Sequence, residues 1–130
     1  MLVLVVDDSR LSRRLVALML TRCGYQVEVA SSGYRALCVL AVRQVDLVLM
    51  DVQMPGLDGP KTTARLREMG NPTPVIALTA ASRSEEWQRC KASGMSDHLA
   101  KPFGLPELVR IVERWGRWAR AGRGRADSRE

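Results

Sequence analysis

The sequence holds no long apolar run, only three cysteines and a single histidine. Its longest N-terminal apolar stretch, Leu2–Val6, stops at Asp7 and Asp8. That is too short for a secretory signal, and nothing approaches the roughly 20 apolar residues of a membrane span. A cytoplasmic chain without a membrane segment is therefore expected. Cys23, Cys38 and Cys90 stand at wide, unpatterned spacings, which suit reduced thiols better than a disulfide framework or a zinc site. What is present is ordinary for one folded domain: 130 residues, 46% hydrophobic and 26% charged. Such a chain can bury a core without a disulfide or a structural metal.

The net charge of +6 is unevenly placed. Six arginines (Arg114, Arg117, Arg120, Arg123, Arg125, Arg129) face only Asp127 and Glu130 in the last 17 residues, a balance of +4. The preceding 113 residues carry a balance of only +2. A domain over 1–118 followed by a basic, disordered tail over 119–130 is expected. The tail has no folded element able to read nucleic acid.

Two kinds of segment alternate along the domain. Leu2–Val6, Asp46–Met50 and Val75–Leu78 are continuous apolar runs, the pattern of strands covered on both faces. Gln26–Ala30 alternates, as a strand with one barer face does, and Asp97–Ala100 is a weaker fifth candidate. Helical periodicity fills the gaps at 10–23, 33–43 and 59–69, between Ser82 and Gly94, and over Leu105–Trp118. In the first helix Leu11, Leu15, Leu18 and Met19 form the expected inward stripe, and Arg10, Arg13, Arg14 and Arg22 a solvated face. Asp58 is the expected N-cap of the third helix, and Ser82 with Glu85 a capping box for the fourth. Five β-α units in succession predict an α/β fold with a parallel sheet, whose ligands bind at the carboxyl ends of the strands.

Those ends carry the chemistry. Strand one ends in Asp7 and Asp8, strand three in Asp51 and strand four in Thr79, while strand five runs into Lys101. Taken singly, each residue suits a turn or a cap; it is their joint position that points to a site. Converging carboxylates repel one another unless a cation sits among them, and an open set of oxygens suits Mg²⁺. A magnesium site with spare positions invites a phosphoryl group. Asp51 is then the candidate nucleophile, Lys101 a point charge for phosphoryl oxygens and Thr79 a hydroxyl donor.

Four motifs in this order, L-V-V-D-D-S (Leu4–Ser9), M-D-V-Q-M-P-G-L-D-G (Met50–Gly59), A-L-T-A (Ala77–Ala80) and K-P-F (Lys101–Phe103), resemble the receiver domains of two-component response regulators. Their wording is most similar to receivers attached to hybrid sensor kinases. The resemblance implies a flavodoxin-like (βα)5 fold, a doubly wound five-stranded parallel sheet of strand order 2-1-3-4-5. It implies Asp51 as phosphoacceptor, and Asp7, Asp8, Asp51 and the backbone carbonyl of Gln53 around Mg²⁺. Thr79 and Lys101 would contact the phosphoryl group. A histidine kinase or histidine phosphotransfer protein would donate it, docking on the first helix. The surface of the fourth helix, fifth strand and fifth helix would switch and could form a homodimer.

One position departs from the family pattern. His98 stands where an aromatic switch residue is usual, so the expected switch pair is Thr79 with His98. Gln53 and Ala81 hold the positions that tune acyl-phosphate lifetime in the family. Two other functions compete: a magnesium-dependent aspartyl-phosphate phosphohydrolase, and a degenerate receiver serving as a scaffold. The first needs a second acid two residues after the nucleophile, where Gln53 stands. The second is disfavoured by the intact set Asp7, Asp8, Asp51, Thr79 and Lys101.

Overall fold

Continuous Val and Leu runs can be buried only between two layers, and the chain folds accordingly. The computed structural model describes residues 1–80 and 84–129, with side chains described for 1–80 and 85–119. Its strands are β1 (Leu2–Val6), β2 (Gln26–Ala30), β3 (Leu47–Asp51), β4 (Val75–Thr79) and β5 (Asp97–Ala100). Its helices are α1 (Arg10–Arg22), α2 (Gly33–Val42), α3 (Gly59–Glu68), α4 (Ser84–Ser93) and α5 (Leu105–Arg129). The strands pair in parallel in the order β2-β1-β3-β4-β5, the doubly wound arrangement expected from the motifs.

Alternate residues of each strand feed opposite layers. Leu4, Val6, Val48, Met50 and Ala77 pack with Leu40 of α2, Leu66 of α3 and Cys90 of α4. Val3, Val5, Leu47, Leu49, Ile76 and Leu78 pack with Val16 and Leu20 of α1 and with Leu108 and Val112 of α5. Each fully buried Val or Leu contributes roughly 1.5–3 kcal/mol, so the sheet is the main stabilising element. The register sets Val6 opposite Met50, Asp51 opposite Leu78, and Thr79 opposite Ala100. The carboxyl ends of β1, β3, β4 and β5 therefore share one edge.

Three expectations need correction. The inward face of α1 is Val16 and Leu20, whereas Leu11, Leu15 and Leu18 are 80%, 57% and 51% exposed. Both stripes satisfy helical spacing, and the N-cap at Ser9 turns the Val16–Leu20 side onto the sheet. Arg13 does not belong to a solvated face, since it is half-buried and bonded to backbone, while Arg10, Arg14 and Arg22 are exposed. Helix α5 runs from Leu105 to Arg129, past the expected end at Trp118. Ala119, Ala121, Ala126 and the arginines favour that continuation, against Gly122 and Gly124.

Strand β3 begins at Leu47, because Asp46 turns its carboxylate back to accept from the Leu2 N–H at 2.7 Å. Asp58 caps α3 as expected, accepting from the Lys61 N–H at 2.9 Å. The capping box at Ser82, and Ala81, lie outside the described residues. Arg67 is an unanticipated staple: its guanidinium donates to the carbonyls of Gly94, Asn71 and Thr73, tying α3 to the turns before β4 and β5. Cys23, Cys38 and Cys90 are free thiols, the last buried in the core.

Candidate functional site

Asp7 continues the ladder beyond β1, its N–H donating to the Ala30 carbonyl at 3.2 Å. Its side chain is 1% exposed, with Oδ1 accepting from the Ser9 N–H at 2.9 Å and Oδ2 lying 3.4 Å from Lys101 Nζ. Asp8 follows with an exposed side chain. Asp51 closes β3 and is 15% exposed, with Oδ1 3.6 Å from the same Lys101 Nζ. Carboxylate oxygens of Asp7, Asp8 and Asp51 all lie within 4.8 Å of one another. One lysine thus faces three acids.

The imbalance shows in Asp51. Burial, with Asp7 and Asp8 adding repulsion, pushes its pKa up to about 6, against the pull of Lys101 and of the Gln53 N–H that donates to it. Lys101 is held in place by its own N–H, which donates to the Thr79 carbonyl at 2.7 Å. Thr79 is 2% exposed, and its hydroxyl has no hydrogen-bond partner among the described residues. A buried hydroxyl left unpaired costs free energy, so its position beside a charged crevice needs a reason.

Six of the seven site residues read from the sequence are placed in or beside this crevice: Asp7, Asp8, Asp51, Gln53, Thr79 and Lys101. The seventh, His98, lies on β5 with its ring 4.6 Å from that of Trp87 on α4. Asp97 beside it accepts from the Trp115 indole of α5 at 2.9 Å and from the His98 N–H at 2.8 Å. The sequence reading missed Trp87 and Asp97, because only the packing of α4 and α5 over β5 brings them together. It also missed how tightly Gly59 approaches the site. A Cβ there would lie 2.6 Å from the Asp51 carbonyl oxygen. A groove of about 600 Å³ at the opposite edge of the sheet, lined by Val42, Pro72 and Trp118 among others, gathers no cluster of acids. Chemistry, not void size, marks the site.

Sheet order and crevice together place the chain among the signalling domains of two-component systems. It belongs to the response regulator receiver domain family, whose model matches residues 3–113. It is 42% identical over 123 residues to the sensor histidine kinase RcsC of Escherichia coli K12, covering 95% of this chain and 13% of that protein. The chain spans 12–13% of the length of the first curated relatives it matches. Among solved structures it is similar to the receiver domain of sensor histidine kinase PA1611 from Pseudomonas aeruginosa PAO1. That likeness has 36% identity and a TM-score of 0.83, over 88% of this chain and 96% of that one. The PA1611 receiver has a magnesium ion coordinated in its active-site cleft. The chemotaxis protein CheY4 of Vibrio cholerae matches at 34% identity and a TM-score of 0.83, over 87% of this chain and 96% of its own. No helix among the described residues is long and apolar enough to cross a membrane.

Proposed function

We propose that Asp51 accepts a phosphoryl group from a phosphohistidine donor in a magnesium-dependent transfer. The observation carrying this reading is the convergence of Asp7, Asp8 and Asp51 oxygens within 4.8 Å, beside Lys101 and a buried, unpartnered Thr79 hydroxyl. A carboxylate oxygen of Asp51 attacks phosphorus. The P–N bond breaks, its electron pair returns to the imidazole, and Asp51 is left as an acyl phosphate. Lys101 Nζ balances charge on the phosphoryl oxygens, and the Thr79 hydroxyl donates to one of them, which explains why it is buried without a partner. The donor set is all hard oxygen and carries excess negative charge, so it fits Mg²⁺. Asp7, Asp8, Asp51 and the Gln53 carbonyl would hold the ion, which supplies positive charge beside the transferring group.

Other parts of the surface take the remaining roles. The histidine kinase or phosphotransfer partner docks on the exposed Leu11, Leu15 and Leu18 of α1, a helix with no acidic residue. The α4–β5–α5 face carries the output and a homodimer contact. Residues 1–118 form the receiver unit of a cytoplasmic signalling protein, and 119–130 a basic appendage.

Incubation with acetyl phosphate and Mg²⁺ should add one phosphoryl group by intact mass, and Asp51→Asn should abolish it. No gain, or a gain that survives the substitution, would overturn the assignment. For the switch, His98 acts with Thr79, and its contact with Trp87 carries the change into α4. Asp51-dependent NMR shifts in α4 and β5 should then differ between wild type and His98→Tyr. Identical shifts near both pH 6 and pH 8 would remove His98 from the switch.

A further inference from the structure

Between the end of β1 and the start of α1 the Asp7 carbonyl has no backbone donor among the described residues. Asp7 N–H still belongs to the sheet, donating to Ala30. Ser9 already belongs to the helix: its hydroxyl accepts from the Ser12 N–H at 3.3 Å and its carbonyl from the Arg13 N–H at 2.9 Å. The Asp7 carbonyl lies between the two systems and accepts from Arg13 Nη1 at 2.7 Å. That carbonyl shares its rigid plane with the N and Cα of Asp8. Fixing it therefore fixes the direction in which Asp8 leaves the chain. The Asp7 side chain is independently anchored by Ser9 and Lys101, whereas Asp8 is exposed and no hydrogen bond to its carboxylate is seen among the described residues.

From this geometry we infer that Arg13 is a positioning residue for the cation site, orienting the Asp7–Asp8 peptide so that both carboxylates converge with Asp51. The inference rests on the magnesium reading above. Arg13 touches none of the reacting atoms and acts only through the backbone of Asp7. A charge-assisted hydrogen bond from a half-buried arginine is among the stronger single contacts available to a turn. Groups that orient metal ligands typically change affinity by tenfold or more when removed.

The sign of the effect separates positioning from plain electrostatics. Deleting a nearby positive charge should tighten binding of a divalent cation, whereas releasing the Asp7–Asp8 peptide should weaken it. Arg14 is the control, being an exposed neighbour on the same helix. Mg²⁺ affinity is measured by isothermal titration on wild type, Arg13→Met, Arg13→Lys and Arg14→Met. Melting temperatures with and without Mg²⁺ are recorded for each. The Mg²⁺ Kd should rise about tenfold in Arg13→Met. It should rise less in Arg13→Lys, which keeps one donor, and stay level or fall in Arg14→Met. If Arg13→Met does not fold, Arg13→Lys carries the test against Arg14→Met. Wild-type affinity in a folded Arg13 variant overturns the positioning role alone. Absence of Mg²⁺ binding by the wild type overturns the magnesium reading and this inference with it.

Discussion

Replacing Gly59 by alanine should destabilise the fold by about 2–3 kcal/mol and leave Asp51 a poor phosphoacceptor. A Cβ at position 59 would meet the Asp51 carbonyl oxygen at 2.6 Å, Val52 Cα at 3.0 Å and Met95 Cε at 3.1 Å. Two of those three atoms are backbone, so no rotamer change relieves the overlap. The Gly59 N–H also donates to the Val52 carbonyl at 2.9 Å, which pins the start of α3 against the segment following Asp51. Either α3 lifts and breaks that bond, or the end of β3 moves and carries Asp51 away from Lys101. Gly70 is the contrasting case, with a φ of +80° and nothing within 4 Å of a built Cβ. Gly70→Ala should lose about 1 kcal/mol through backbone strain alone and phosphorylate normally. Urea denaturation and acetyl phosphate labelling of both variants decide the matter. Normal labelling of Gly59→Ala would show that the contact does not set the position of Asp51.

What made the fold and the acidic crevice legible is that both depend on short-range pattern. The runs Leu2–Val6 and Val75–Thr79 are buried at every position, and a run without alternation has no other stable place in a small domain. The first run is followed at once by Asp7 and the second ends on Thr79, so the strand ends were readable as a candidate site. Matters of tertiary choice were not. Helix α1 carries apolar residues on two sides, and its own periodicity could not say whether Leu11 and Leu15 or Val16 and Leu20 meet the sheet. The leucines left outside became a surface, not a core. Arg13 looked solvated because nothing in its neighbourhood of sequence reveals an orphaned carbonyl six residues earlier. The Trp87–His98 contact joins two elements and has no local signature. The end of α5 has no clear local signal, since helix-favouring Ala and Arg alternate there with Gly122 and Gly124.

In metal-free buffer Asp51→Asn should stabilise the domain near neutral pH, raising Tm by roughly 5–10 °C. Burial and the neighbouring acids push the Asp51 pKa from 3.8 up to about 6. Between those values the folded state binds the proton that the unfolded state has released, so stability falls as pH rises through the window. Above pH 6 the ionised group costs about 2 kcal/mol after allowance for the crevice's partial opening to solvent. Asparagine keeps the shape, can still accept from the Gln53 N–H, and leaves Lys101 its Asp7 contact at 3.4 Å. Asp58 titrates in the opposite sense. Although burial acts against it, the Lys61 N–H and Arg89 hold its pKa below the usual value, so its contribution is lost as pH falls. Because Asp58 is common to both proteins, the difference between wild type and Asp51→Asn isolates Asp51. The two melting curves should coincide near pH 3.5 and separate progressively to about pH 6.5. Equal Tm values near pH 7.5 would mean that Asp51 is not strained by its neighbours. On the proposed magnesium reading, added Mg²⁺ should bind the folded state and close the gap by lifting the wild type more than the variant, since the variant lacks one of the three charges that attract it.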